Sequence, residues 1–144
     1  MIFQWLQMRL SEEKDRRTRE AQINERLPKA VEEMRLALTG CVDAYCEAFG
    51  AESAEVQSSL GRLRVVVREQ QAGKWQQRGK VEVTTVPDLP GLHIDRNGQP
   101  LTIEVGLLPG ERLFYRDTEA DQYLTMDELT RRILDRTLFP KLRE

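Results

Sequence analysis

Four acidic residues near the C-terminal end stand at the spacing of a calcium loop. With Asp117 as position 1, Glu119 is position 3, Asp121 position 5 and Glu128 position 12. An EF-hand uses those slots to surround a hard cation with oxygens. The rest of the segment points elsewhere. Position 6 needs the sharp bend that glycine provides, and here it is Gln122. The loop should be entered by a helix, but "ERLFYR" follows a Pro-Gly pair and reads as strand. Thr125 and Glu128 fit a capping box, in which hydroxyl and carboxylate satisfy free amides at a helix start. Asp127 adds negative charge at the positive end of that helix dipole. The expectation is a solvated hairpin turn containing Asp117 and Glu119, then a capped helix, and no metal. A weak calcium site of another kind around Asp117, Glu119 and Asp121 is the competing reading.

Other chemistry is sparse. His93 is the only histidine, so one chain cannot supply a two-histidine metal site. None of Ser11, Ser53, Ser58 or Ser59 stands in a nucleophile-elbow pattern. Neither GxGxxG nor GxxxxGK[ST] occurs. Cys41 and Cys46 are five apart on an expected helix, which points them in different directions and disfavours a disulfide. No cofactor is implied, no catalytic residue can be named, and the balance is against an enzyme.

The most suggestive polar group is basic. In "RLRVVVRE" and "RGKVEVTT" the apolar side chains alternate with charged ones, which is the period of a half-buried strand. Leu63, Val65, Val67, Val81 and Val83 then face a core, and Arg62, Arg64, Arg68, Arg78 and Lys80 face outward with Glu82 and Val66. Residues 51–80 carry six basic and three acidic side chains. Such a face can track a phosphate backbone, although it lacks outward aromatics for stacking bases, since the inward parity takes Trp75. It can equally be a solvated face with Arg64 paired to Glu82 across strands, or a surface that receives the charged helix of a second subunit. The candidate binding residues are Arg62, Arg64, Arg68, Arg78, Lys80 and His93.

The elements that must carry these groups follow from periodicity. Residues 11–26 are almost wholly polar, with Ser11 as a candidate cap and Glu12/Arg16, Glu13/Arg17 and Asp15/Arg19 at i,i+4. A helix like this finds little to bury in its own domain. From Leu27 the pattern becomes amphipathic: Val31, Met34, Leu38, Cys41 or Val42, Tyr45 and Phe49 recur every three to four residues, ended by Gly50. Pro28 is expected to begin this second helix or to kink it away from the first. Asn97-Gly98 predicts a two-residue hairpin pairing Arg96 with Gln99, Ile94 with Leu101 and Leu92 with Ile103, which sets His93 opposite Thr102 on the outer face. Met126, Leu129, Ile133, Leu134 and Leu138 form the stripe of a last helix, stopped by Pro140.

The expected fold is therefore α+β: N-terminal helices, an antiparallel meander of about five strands, and a C-terminal helix on one sheet face. Residues 1–26 read as a polar helical arm and 27–144 as one domain. This element order resembles that of helix-grip and cone-shaped ligand-binding folds, a likeness of order alone. The chain has 144 residues, is 40% hydrophobic and 32% charged, and carries a formal charge of -2. That suits a soluble folded chain with no strong pull toward nucleic acid or acidic membranes. No stretch approaches the ~20 apolar residues of a membrane span. "MIFQWLQMRL" is a poor signal peptide and a short amphipathic segment that suits a membrane surface, its own domain or a partner subunit. The leading expectation is a cytoplasmic, non-enzymatic interaction module that self-associates through its N-terminal helices, with another protein partner also compatible. A small-molecule cup under the curved sheet is the alternative, and nucleic-acid binding by the arginine face a weaker one.

Overall fold

Leu27, Ala30, Met34, Leu38 and Val42 are buried along one side of a single helix, α1, Gln4–Phe49. The computed structural model describes residues 3–142. The polar and amphipathic stretches that the sequence divides at Pro28 are one continuous helix with Pro28 inside it. The proline lacks the N–H that the Asn24 carbonyl would accept, a defect that costs about 3 kcal/mol in a helix interior. Its ring stands on the exposed side, while the stripe from Ile23 onward is buried. Each fully buried Leu, Ile, Val or Met contributes about 1.5–3 kcal/mol, so the stripe outweighs the defect several times over. Ser11 lies within α1 and does not cap it; Phe3 precedes the first turn without a side-chain cap.

Seven strands follow, not five: β1 Ala54–Ser59, β2 Arg62–Gln71, β3 Lys74–Val86, β4 Gly91–Arg96, β5 Gln99–Leu108, β6 Arg112–Asp117 and β7 Gln122–Leu124. They form one sheet in chain order, each antiparallel to the next. The Asn97-Gly98 turn has positive φ at both residues, 55° and 94°, as a two-residue hairpin of this hand requires. It sets the expected register, with Ile94 opposite Leu101, His93 opposite Thr102 and Leu92 opposite Ile103.

The chain ends in α2, Met126–Leu138, begun by the Thr125/Glu128 capping box. Both helices lie on the same face of the sheet and close over one core. Leu63, Val65, Val81, Val83, Leu92, Ile94, Ile103 and Val105 from the sheet meet Met34, Leu38, Leu129 and Ile133 from the helices. Among the described residues no helix packs on the opposite face, although Val66, which points there by parity, is buried.

One departure from simple alternation matters. The β2–β3 register shifts between Val67 and Arg68: Val67 pairs with Gly79, but Arg68 pairs with Gln77. Arg78 is the extra residue of this bulge, and the parity of β3 changes there. Arg78 therefore does not project with Arg64 and Lys80. It turns to the helical side, where it donates to Tyr45 Oη at 3.3 Å and to the Leu138 carbonyl at 3.1 Å at the end of α2. A Cβ on Gly79 would lie 3.3 Å from the Thr137 methyl, a tight approach that α2 would have to ease by a few tenths of an ångström.

Candidate functional site

The strand parity places five of the six candidate binding residues on the open face and Arg78 beneath it. On the open face the positive charges are mostly answered. Glu82 lies 3.8 Å from the Arg64 guanidinium and 3.5 Å from the Lys80 ammonium. Arg68 donates to Glu55 at 2.6 Å, and this bond, with a second from Gln57, holds the Glu55 carboxyl below the usual carboxylate range. Arg78, on the other side, is 3.7 Å from Glu69. Arg62 is exposed at the strand end, with Thr84 and Ser59 as its register partners. His93 is exposed between Thr84 and Thr102. The six residues thus do not converge on one point, and the acidic partners remove most of the excess charge that a phosphate backbone would feel. Trp75 packs against the turn after α1, where its ring would lie 3.6 Å from a Cβ on Gly50.

The far half of the open face is different. Gly106 of β5 pairs with Phe114 of β6, and a Cβ on Gly106 would fall 1.9 Å from the Phe114 ring. The ring lies on the glycine. It meets Tyr123 edge-on with centroids 5.4 Å apart, and Tyr123 is exposed. Nearby, Arg116 bridges Glu104 at 3.2 Å and Asp121 at 2.8 Å.

Three of the four acids of the calcium-like loop, Asp117, Asp121 and Glu128, turn to separate partners. Asp117 is buried rather than solvated, contrary to the expected hairpin turn. One of its oxygens accepts from the Glu119 and Ala120 amides at 3.0 and 3.2 Å, and the other from Arg132 at 2.6 Å. Asp121 faces Arg116, and Glu128 is occupied in the capping box. Among the described residues no cluster of three or more His, Cys, Asp or Glu has a metal-binding arrangement.

The Asp117–Arg132 pair belongs to a polar cleft of about 530 Å³ between α2 and the strand ends, also lined by Arg96, Arg131 and Arg136. Arg96 donates to the Arg132 and Pro100 carbonyls at 3.1 and 3.4 Å. The sequence gives no sign of this cleft, because its members are brought together only by α2 crossing the β4–β5 end. Glu119, Glu128, Asp117 and Asp135 line it as well, so its charges balance.

Two apolar grooves flank α1. One, of about 430 Å³, runs between its C-terminal half and α2 past Tyr45, Phe49, Leu134 and Phe139. Cys41 opens onto it as a free, exposed thiol. The other, of about 620 Å³, lies where α1 leaves the sheet. Asn24, Leu27, Pro28 and Val31 form one wall, and Ser58–Gly61, Thr85 and Pro87 the other. Asn24 donates across it to the Pro87 carbonyl at 3.2 Å, and its own buried Oδ1 accepts nothing. Leu60, at the β1–β2 turn on its rim, is fully exposed.

Beyond this groove α1 continues without the domain. From Gln4 to Gln22 every side chain is exposed except the half-buried Glu13 and Glu20. Its ion pairs, Arg9–Glu12, Arg16–Glu13, Arg16–Glu20 and Arg17–Glu13, stay within the helix. Arg16 gathers Glu13 and Glu20 rather than the expected Glu12, and hydrogen bonds from it hold the Glu13 carboxyl below its ordinary value. At 1.5 Å per residue this arm is about 28 Å long. Its tip carries Phe3, Trp5, Leu6, Met8 and Leu10, all exposed. No described helix is long and apolar enough to cross a membrane. Comparison with protein-family models, with curated proteins and with solved structures finds no match to this chain.

Proposed function

We propose that this protein is a non-enzymatic assembly module that self-associates through the N-terminal part of α1. The observation that carries the reading is the arm itself: residues 3–22 bury no side chain against their own domain, yet end in five exposed apolar residues. A projecting helix gains nothing from packing on its own domain, and an apolar tip of this size is costly to leave wet. Both costs vanish when the arm is covered by another chain. The protein's other features support assembly over the alternatives. Ile103, Val105 and Leu129 are buried together in one core beneath the sheet, which weighs against a cup there. The basic face is largely neutralised by Glu55 and Glu82, which weakens the case for a nucleic-acid surface.

Sedimentation equilibrium of the full chain and of a chain lacking residues 1–22 tests the proposal. The expected result is a dimer or larger species at micromolar concentration that becomes monomeric on truncation, with the far-ultraviolet signature of the sheet retained. A full chain that is monomeric at ~100 μM would sink it.

A further inference from the structure

We infer that two copies pair their arms antiparallel, and that the apolar tip of each docks into the groove beside Pro28 of the other. This rests on the self-association proposed above and names the surface that receives the arm. Three observations converge on it.

The first is charge. Glu12, Glu13, Lys14 and Asp15 make one turn with a net charge of -2, and Arg16, Arg17 and Arg19 in the next turn make it +3. An antiparallel pair centred on the 15/16 junction sets the acidic turn of each copy against the basic turn of the other, twice over. A parallel pair sets like against like.

The second is length. In the antiparallel arrangement, residues 3–10 of one arm lie beside residues 21–28 of the other. The 620 Å³ groove begins there, at Asn24, Leu27 and Pro28. The same helix rise that fixes the arm's length thus delivers the tip to the groove.

The third is the fit of tip and groove. Phe3, Trp5, Leu6, Met8 and Leu10 are spread around most of the helix rather than along one stripe, so the tip needs a surface that encloses it. The groove supplies two walls, and fully exposed Leu60 forms a third apolar contact at its rim. With one basic residue, Arg9, the tip carries little attraction for anionic lipid. The resulting interface is isologous, the same patch on both copies, and closes as a two-fold dimer.

Nitroxide distance measurements test the register. In a Cys41→Ser/Cys46→Ser background, labels are placed at Ser11→Cys or at Gln4→Cys. With helices about 9 Å apart and 1.5 Å rise, the antiparallel pair predicts backbone separations of about 16 Å at residue 11 and about 36 Å at residue 4. Equal short distances at both sites indicate a parallel pair and overturn the inference while leaving self-association intact. Leu60→Asp, which touches nothing in the monomer, is expected to weaken the dimer at least tenfold. Glu12→Arg/Glu13→Arg is expected to weaken it similarly, and added Arg16→Glu/Arg17→Glu to restore it. An unaltered dimer in Leu60→Asp, or loss without restoration, overturns the docking. A full chain that stays monomeric, including one that binds phosphatidylcholine vesicles through its tip, overturns the assembly reading itself.

Discussion

The Phe114 ring resting on Gly106 makes a quantitative prediction about the open face. Gly106 has no positive φ to protect, so alanine suits its backbone, and only the ring stands in the way. A Cβ at 1.9 Å from Cζ cannot coexist with the observed rotamer, so Gly106→Ala must drive the ring off the sheet. The displaced ring forfeits its half-burial, worth about 1–2 kcal/mol. It also loses the edge contact with Tyr123, about 0.5–1.5 kcal/mol. Any off-rotamer position adds about 0.5–1.5 kcal/mol. Gly106→Ala should therefore destabilise by about 3 kcal/mol. In a Phe114→Ala background the obstacle is gone, and the same change should be neutral or stabilise by about 0.5 kcal/mol through the lower entropy of the unfolded chain. The coupling energy of the cycle is about 3 kcal/mol. Urea unfolding at one fixed protein concentration measures it. With a slope near 2 kcal/mol per molar, the midpoint should fall by roughly 1.5 M in one background and stay in place in the other. Equal costs of Gly106→Ala in both backgrounds would refute the stacking argument.

Other expectations concern the core and the loop. Tyr115 is pushed up to about 12, chiefly by burial and then by the Glu33 carboxylate. Below pH ~10 its hydroxyl is protonated in both folded and unfolded chains; between about 10 and 12 only the unfolded chain releases the proton, so stability falls as pH rises. The loss should be about 2 kcal/mol, and Tyr115→Phe should remove that part of the alkaline slope in denaturant titrations; an unchanged slope contradicts it. Asp117→Ala strips Arg132 and two amides of their acceptor and should cost about 3–4 kcal/mol in thermal unfolding, a loss under 1 kcal/mol being the contrary result. Because that carboxylate is committed, millimolar calcium should move the melting temperature by less than about 1 °C; a rise of several degrees would mean the loop rearranges around the ion. Pro28→Ala restores a donor to the Asn24 carbonyl and should stabilise α1 by about 1–3 kcal/mol, and no gain in calorimetry would mean the helix does not run through residue 28 undisturbed.

The parts of this fold that sequence reveals are those fixed by local chemistry. Asn97-Gly98 determines the β4–β5 register because only such a pair readily takes two positive φ values in succession. Thr125 and Glu128 announce α2 because the box satisfies its free amides within four residues. Features set by distant partners are not legible. β1, "AEVQSS", carries too few apolar residues to signal a strand and exists because β2 offers it a ladder. Arg78 breaks parity at a bulge whose one mark in the sequence is the adjacent Gly79, a glycine inside a strand. Pro28 reads as a boundary, yet the buried stripe on its far side outweighs the missing bond. Asp117 reads as a solvated turn residue because Arg132, which buries it, lies on a later helix. The arm was the exception among long-range features: a run so polar has nothing to offer its own core, and that much composition alone conveys.

The strictly sequential strand order has a consequence for how the chain reaches this state. Every ladder joins a strand to its immediate predecessor, so the sheet can grow hairpin by hairpin as the polypeptide leaves the ribosome, with each loop closure short and fast. The lid is another matter. α1 precedes the strands it covers, and α2 follows them. The buried stripe of α1 therefore waits for its sheet, and the thirteen-residue helix Met126–Leu138, which follows the last strand, completes the seal.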